Sequence, residues 1–334
     1  MSGAADSAAD GPAADGPTAD GTLRIAGVAL TDLAAVAGAL LWVVLAFTGR
    51  LDAVERALAL APLVVVPLGV GLAERSGFAG PPGRLLAAAT AVLPLGAGLF
   101  VASLAATSAT FAALAAAAWL PVTGLLAVAG LARANERGLY PLPETLVDAG
   151  LAYSPMGAVA LVLFHLDVTL WFDPTIVFLT AVHFHFAGFA LPVLAGVTGR
   201  HLDGFEGATR PIAGVVLVGP ALVAVGISFS PLVEVVAVGA FTLAVAGFGL
   251  LVLVRVVPSL DAVPAALVGA SALALPASMA LALAYGIAAF SGANPLGLSI
   301  GRMVALHGSL NAYGFALCGV LGWRLVGDGS ADRS

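Results

Sequence analysis

Histidine is the side chain best suited to bind a transition metal or pass a proton near neutral pH. This 334-residue sequence contains five of them. Two stand in one apolar run, Thr180-Ala181-Val182-His183-Phe184-His185-Phe186-Ala187-Gly188-Phe189. A third opens the stretch His307-Gly308-Ser309-Leu310-Asn311-Ala312-Tyr313-Gly314-Phe315. An ionisable group in hydrocarbon is costly and usually marks an ion path, a proton relay or a ligand site. On a helix, residues two apart differ by about 200°. His183 and His185 therefore face nearly opposite ways and cannot chelate one ion together. His307 and Asn311, at i and i+4, share a face.

The composition dictates where these histidines lie. The chain is 60% hydrophobic and only 10% charged, with a mean hydropathy of +1.07. Soluble domains carry about 25% charged residues, so the expected fold is an all-α, polytopic bundle of transmembrane helices. A span needs about 20 apolar residues. Ten such runs fall near 25–47, 57–73, 85–106, 109–132, 147–168, 175–198, 211–229, 232–256, 264–290 and 301–326. The lone Cys318 excludes an internal disulfide and a CxxC site. All 13 basic residues are arginine, and no basic cluster points to nucleic acid. The absence of lysine, the Ala/Gly/Val richness and a pI near 5.2 point to a GC-rich, halophilic source.

Arginine placement orients the bundle. Arg24, Arg75, Arg84, Arg133, Arg137, Arg200, Arg210, Arg255, Arg324 and Arg333 fall on the N-terminal side, and Arg50, Arg56 and Arg302 on the other. By the positive-inside rule both termini are expected in the cytoplasm of a cell-membrane protein. Residues 1–22 repeat an Ala-Asp-Gly-Pro theme, and Asp6, Asp10, Asp15 and Asp20 carry −4 of the net −6. That segment is expected to be a disordered acidic tail. It precedes a transmembrane domain at 23–327 and a short cytoplasmic tail at 328–334.

With this topology, His183 lies about 12 Å below the outer end of the sixth span. His307 is at similar depth in the tenth span, and His165 sits near the outer end of the fifth, beside Asp167. His201 falls in a cytoplasmic loop. A substrate or ion path through His183, His185, His307 and Asn311 is one expectation. A metal or haem site built from His165, His183, His185 and His307 is another. Pro192 removes a backbone donor and crowds Gly188, so the sixth helix should break just below the pair, as helices lining transporter sites often do. Glu144 and Asp148, i and i+4 at the start of the fifth span, read either as acidic residues favoured by the helix dipole or as a cytoplasmic ion inlet. Gly188-Phe189-Ala190-Leu191 and Gly314-Phe315-Ala316-Leu317 echo one another after a histidine.

The Thr180–Phe189 and His307–Phe315 stretches, with Glu144-Thr145-Leu146-Val147-Asp148-Ala149-Gly150, resemble the YndJ-like family of prokaryotic membrane proteins over roughly residues 25–326. The resemblance implies a transporter of unspecified substrate. Some members carry a further C-terminal domain, which a chain ending at Ser334 is expected to lack. His183-Phe184-His185-Phe186 also resembles the His-Phe-His-Tyr helix of haem–copper oxidases, where two histidines ligate two haems. No adjacent His-His pair and no His-Pro-Glu motif accompany it, which argues against an oxygen reductase. A haem- or metal-binding redox or sensor protein is thus the alternative to a transporter, and a helix scaffold is the third reading. A hydrolase is remote: His-Glu-x-x-His is absent, and Ser309 does not share a face with His307. The expected partners are the lipid bilayer and a small molecule or ion.

Overall fold

A computed structural model describes residues 16–17, 23–75, 77–202 and 204–326. The expected tails, 1–22 apart from Gly16–Pro17 and 328–334, lie outside the described residues. Gly16–Pro17 (β1), Leu23–Ile25 (β2) and Val28–Ala29 (β3) form a small antiparallel sheet. The first span consequently begins at Leu30 rather than near residue 25.

Ten helices among the described residues are long and apolar enough to cross a membrane. They are α1 (Leu30–Thr48), α2 (Ala53–Glu74), α3 (Gly80–Leu104), α4 (Ala109–Arg137), α5 (Leu142–His165), α6 (Pro174–Gly199), α7 (Thr209–Phe229), α8 (Pro231–Ser259), α9 (Ala262–Ser291) and α10 (Ile300–Leu325). Local chemistry sets their starts. Asp52 accepts the amides of Val54 and Glu55 at 2.8 Å while Glu55 takes the Asp52 amide, a reciprocal cap that starts α2. Ser108, Asp173, Ser230 and Ser299 accept first-turn amides of α4, α6, α8 and α10.

Sequential helices pack as antiparallel neighbours, and α2, α6 and α10 also meet one another. The apolar window of α2 is entirely buried, against 17% for α1 and 22% for α7. The shortest apolar run is therefore the central helix and α1 is peripheral. Hydrophobicity cannot drive helix association within lipid, so close backbone approach matters. Pro276 leaves the Ala272 carbonyl without its helical donor, and a Cβ on Gly249 of α8 would lie 2.5 Å from that oxygen. Gly38 of α1 lies as tightly against the Leu63 carbonyl, left short by Pro67.

The central trio shares a second feature. Ala61–Val65 in α2, Phe184–Ala190 in α6, and Val304–Gly308 and Leu310–Leu317 in α10 are π-helical. The amides of Val66 and Leu191 reach back five residues, to the carbonyls of Ala61 and Phe186. In α6 the wide turns end just before Pro192, where the sequence requires a break. Such segments recur at functional sites. Both copies of the Gly-Phe-Ala-Leu echo begin inside one, and Phe189 and Phe315 are buried in each.

Candidate functional site

His185 occupies the wall of the bundle interior, 2% exposed. The Trp119 indole N–H donates to its Nε2 at 3.0 Å, and its Nδ1 lies 2.7 Å from the Ala181 carbonyl. A carbonyl only accepts and an indole only donates. The ring is therefore neutral with its proton on Nδ1, and both nitrogens are engaged. Phe100 lies 5.4 Å away, centre to centre. Gly157 faces the ring, where a Cβ would come within 2.5 Å of Nδ1. The bond to Ala181, four residues back, supplies a donor to a helix whose amides have shifted to wider turns.

His183 points the other way, as a 200° separation demands. Its Nδ1 donates to the Leu179 carbonyl at 2.7 Å, while Nε2 has no hydrogen-bond partner among the described residues. The ring is exposed. Beside it stands His307 of α10, with ring centres 6.3 Å apart. His307 Nδ1 donates to the Ser278 carbonyl of α9 at 2.9 Å. The Asn311 amide donates to His307 Nε2 at 3.2 Å and to the His307 carbonyl at 2.8 Å. The Asn311 bond four residues back repeats that of His185 to Ala181, one in each copy of the echo. Tyr313 turns away, towards Trp42 of α1.

The four membrane histidines do not converge. His183 and His307 stand side by side, and His185 is committed to Trp119. His165 pairs with Ser103 of α3 at 3.2 Å. Ser103 itself donates to the Phe100 carbonyl, so this serine–histidine contact points its protons away from nucleophile activation. Common depth is one coordinate and leaves lateral position open. Among the described residues no group of three or more His, Cys, Asp or Glu is placed to hold a metal ion. His201 donates to Val197 and packs against Trp323, away from His183 and His307. Gly297-Leu298-Ser299-Ile300-Gly301 has the spacing of a nucleophile elbow. Its serine is the cap of α10, accepting the Arg302 amide, with no strand before it.

Glu144 and Asp148 are at the opposite, arginine-rich end, inside a network. Arg133 contacts Asp148 at 2.6 Å and Glu144 at 2.9 Å. Arg137 contacts Asp148 at 2.7 Å. Arg200 grips both oxygens of Glu144 at 2.7 and 3.0 Å and donates to the Leu72 carbonyl. Arg133 also stacks over Phe78, 4.1 Å from the ring centre. These bonds tie α2, α4, α5 and α6 together. Nearby, Arg324 pairs with Asp32, and Arg75 takes the terminal carbonyls of α10. The partners of the two acids lie 11 to 56 residues away and leave no local signature. Trp119, Ser278 and these arginines are the site residues that spacing did not reveal.

Ten apolar, antiparallel helices among the described residues define a multi-pass integral membrane protein. The chain belongs to the YndJ-like family, whose model matches residues 56–315. It is 30% identical over 192 residues to the uncharacterized membrane protein YndJ of Bacillus subtilis (strain 168), covering 57% of this chain and 34% of that relative. The chain thus aligns with about a third of the curated relative's length. No solved structure matches.

Proposed function

We propose that this YndJ-like protein is a membrane transporter whose substrate path runs through a crevice between α6, α9 and α10. The observation that carries the reading is the free Nε2 of His183, held opposite His307 in helices whose regular turns are interrupted. Polar groups in interrupted helices near mid-membrane are the usual make-up of a transport site. His183, His307 and Asn311 line this path. His185 acts behind it by holding α6 in register. Glu144 and Asp148, bound by Arg133, Arg137 and Arg200, close the opposite end. The arginine bias supports the reading that this closed end and both termini are cytoplasmic and that His183 and His307 lie towards the outer side.

Reconstituted vesicles or expressing cells test the reading with panels of labelled ions and small solutes. His307→Ala, checked for a monodisperse fold, should lose the flux that wild type supports, while His201→Ala retains it. A folded His307→Ala protein that matches wild type for every transported solute would overturn the proposal.

A further inference from the structure

The crevice has a donor set that narrows what it binds. In metal sites a ligating histidine almost always gives its second ring N–H to a carbonyl, carboxylate or water, which fixes the tautomer and aims the other nitrogen. His183 and His307 both have this arrangement, with Nδ1 on the carbonyls of Leu179 and Ser278. Each therefore presents Nε2 as a lone pair. An imidazole nitrogen sits about 2.0–2.1 Å from a bound cation. With the ring radius added, two opposed imidazoles sharing one ion have centres about 6 Å apart. The observed separation is 6.3 Å.

We infer that the crevice binds one soft monovalent transition-metal cation, of the Cu(I) class, between Nε2 of His183 and Nε2 of His307. Both ligands are neutral, and among the described residues no carboxylate pairs with or hydrogen-bonds to either ring. A divalent ion would bring uncompensated charge into the membrane, whereas a monovalent ion brings half as much. Imidazole nitrogen suits copper. Two protein ligands, rather than the three or four of resident sites, leave the ion free to depart, as conduction requires. Treating the ion as cargo rests on the transport reading; its binding rests on the crevice alone.

Asn311 adds a feature that only this arrangement predicts. Its amide occupies the lone pair of His307, so it competes with the cation. Removing it should tighten binding by about two- to tenfold, the worth of one net hydrogen bond.

The test uses the full chain in mild detergent, in a Cys318→Ser background that removes the thiol. Ag(I), a redox-inert monovalent probe, and Zn(II) are titrated by calorimetry. Saturable binding of one Ag(I) is expected, weakened at least about tenfold in His183→Ala and in His307→Ala and strengthened in Asn311→Ala. Each variant is first checked for a monodisperse fold, so that methionine thioethers exposed by misfolding do not supply the binding. Absence of saturable Ag(I) binding by the folded protein, binding unchanged in both histidine variants, or tighter binding of Zn(II) than of Ag(I) would each overturn the inference. Ag(I) bound without transport would retain the site and remove the transport reading. Transport of another solute with no Ag(I) site would do the reverse.

Discussion

Trp119 of α4 donates its indole N–H to Nε2 of His185 in α6 across 3.0 Å. That bond joins two residues 66 positions apart, and it determines which of the paired histidines is free. With Nε2 held by Trp119 and Nδ1 held by Ala181, His185 is a structural strut, and His183 alone of the pair stands beside His307.

Trp119→Phe should keep the aromatic volume but leave a buried imidazole nitrogen without its donor. Such an orphan costs about 1–3 kcal/mol. Thermal unfolding in detergent should show a lower midpoint than wild type. An unchanged midpoint would mean that the bond contributes nothing to the fold.

Gly157→Ala tests the same strut from the other side. Its Cβ would meet His185 Nδ1 at 2.5 Å and the Ala181 carbonyl at 3.0 Å, both of them backed by packed helices. Overpacking of this kind costs about 1–3 kcal/mol. Gly98→Ala, with nothing near its added methyl, should unfold with the wild type.

Asp148→Asn should be the most damaging single change at the arginine-rich end. It removes one partner from Arg133 and Arg137 inside a buried network, which costs about 3–5 kcal/mol where the remaining charge stays buried. Loss of monodisperse protein on size-exclusion chromatography, or a large drop in unfolding midpoint, is expected. An Asp148→Asn protein as stable as wild type would show that the network does not hold that end together.

Ser278→Ala should be nearly silent for His307. The ring is held by the Ser278 backbone carbonyl at 2.9 Å, with the hydroxyl further off at 3.5 Å. Ag(I) affinity and stability close to wild type are expected. A loss as large as that of His307→Ala would assign the anchoring to the hydroxyl instead.

What was legible in the sequence follows from which forces act locally. Ten apolar runs gave ten helices, because each span satisfies its own backbone in lipid. The break before Pro192 and the opposed faces of His183 and His185 were readable from stereochemistry within one helix. Lateral neighbours were not. Depth placed His165 level with His183 and His307, yet His165 pairs with Ser103. Nothing in the short, apolar α2 run marked it as the centre of the bundle. Glu144 and Asp148 looked like first-turn acids of α5, and only the packing of α4 and α6 brought arginines onto them.

In the proposed path His183 is reached from the side opposite the arginine-rich end, and His185 is not. Single cysteines at 183 and at 185, each in the Cys318→Ser background, should be probed with a membrane-impermeant thiol reagent added to either side of sealed vesicles. The account predicts rapid labelling of His183→Cys from the side opposite the arginine-rich end, and no labelling of His185→Cys from either side. Labelling of position 185, or an unreactive position 183, would contradict it.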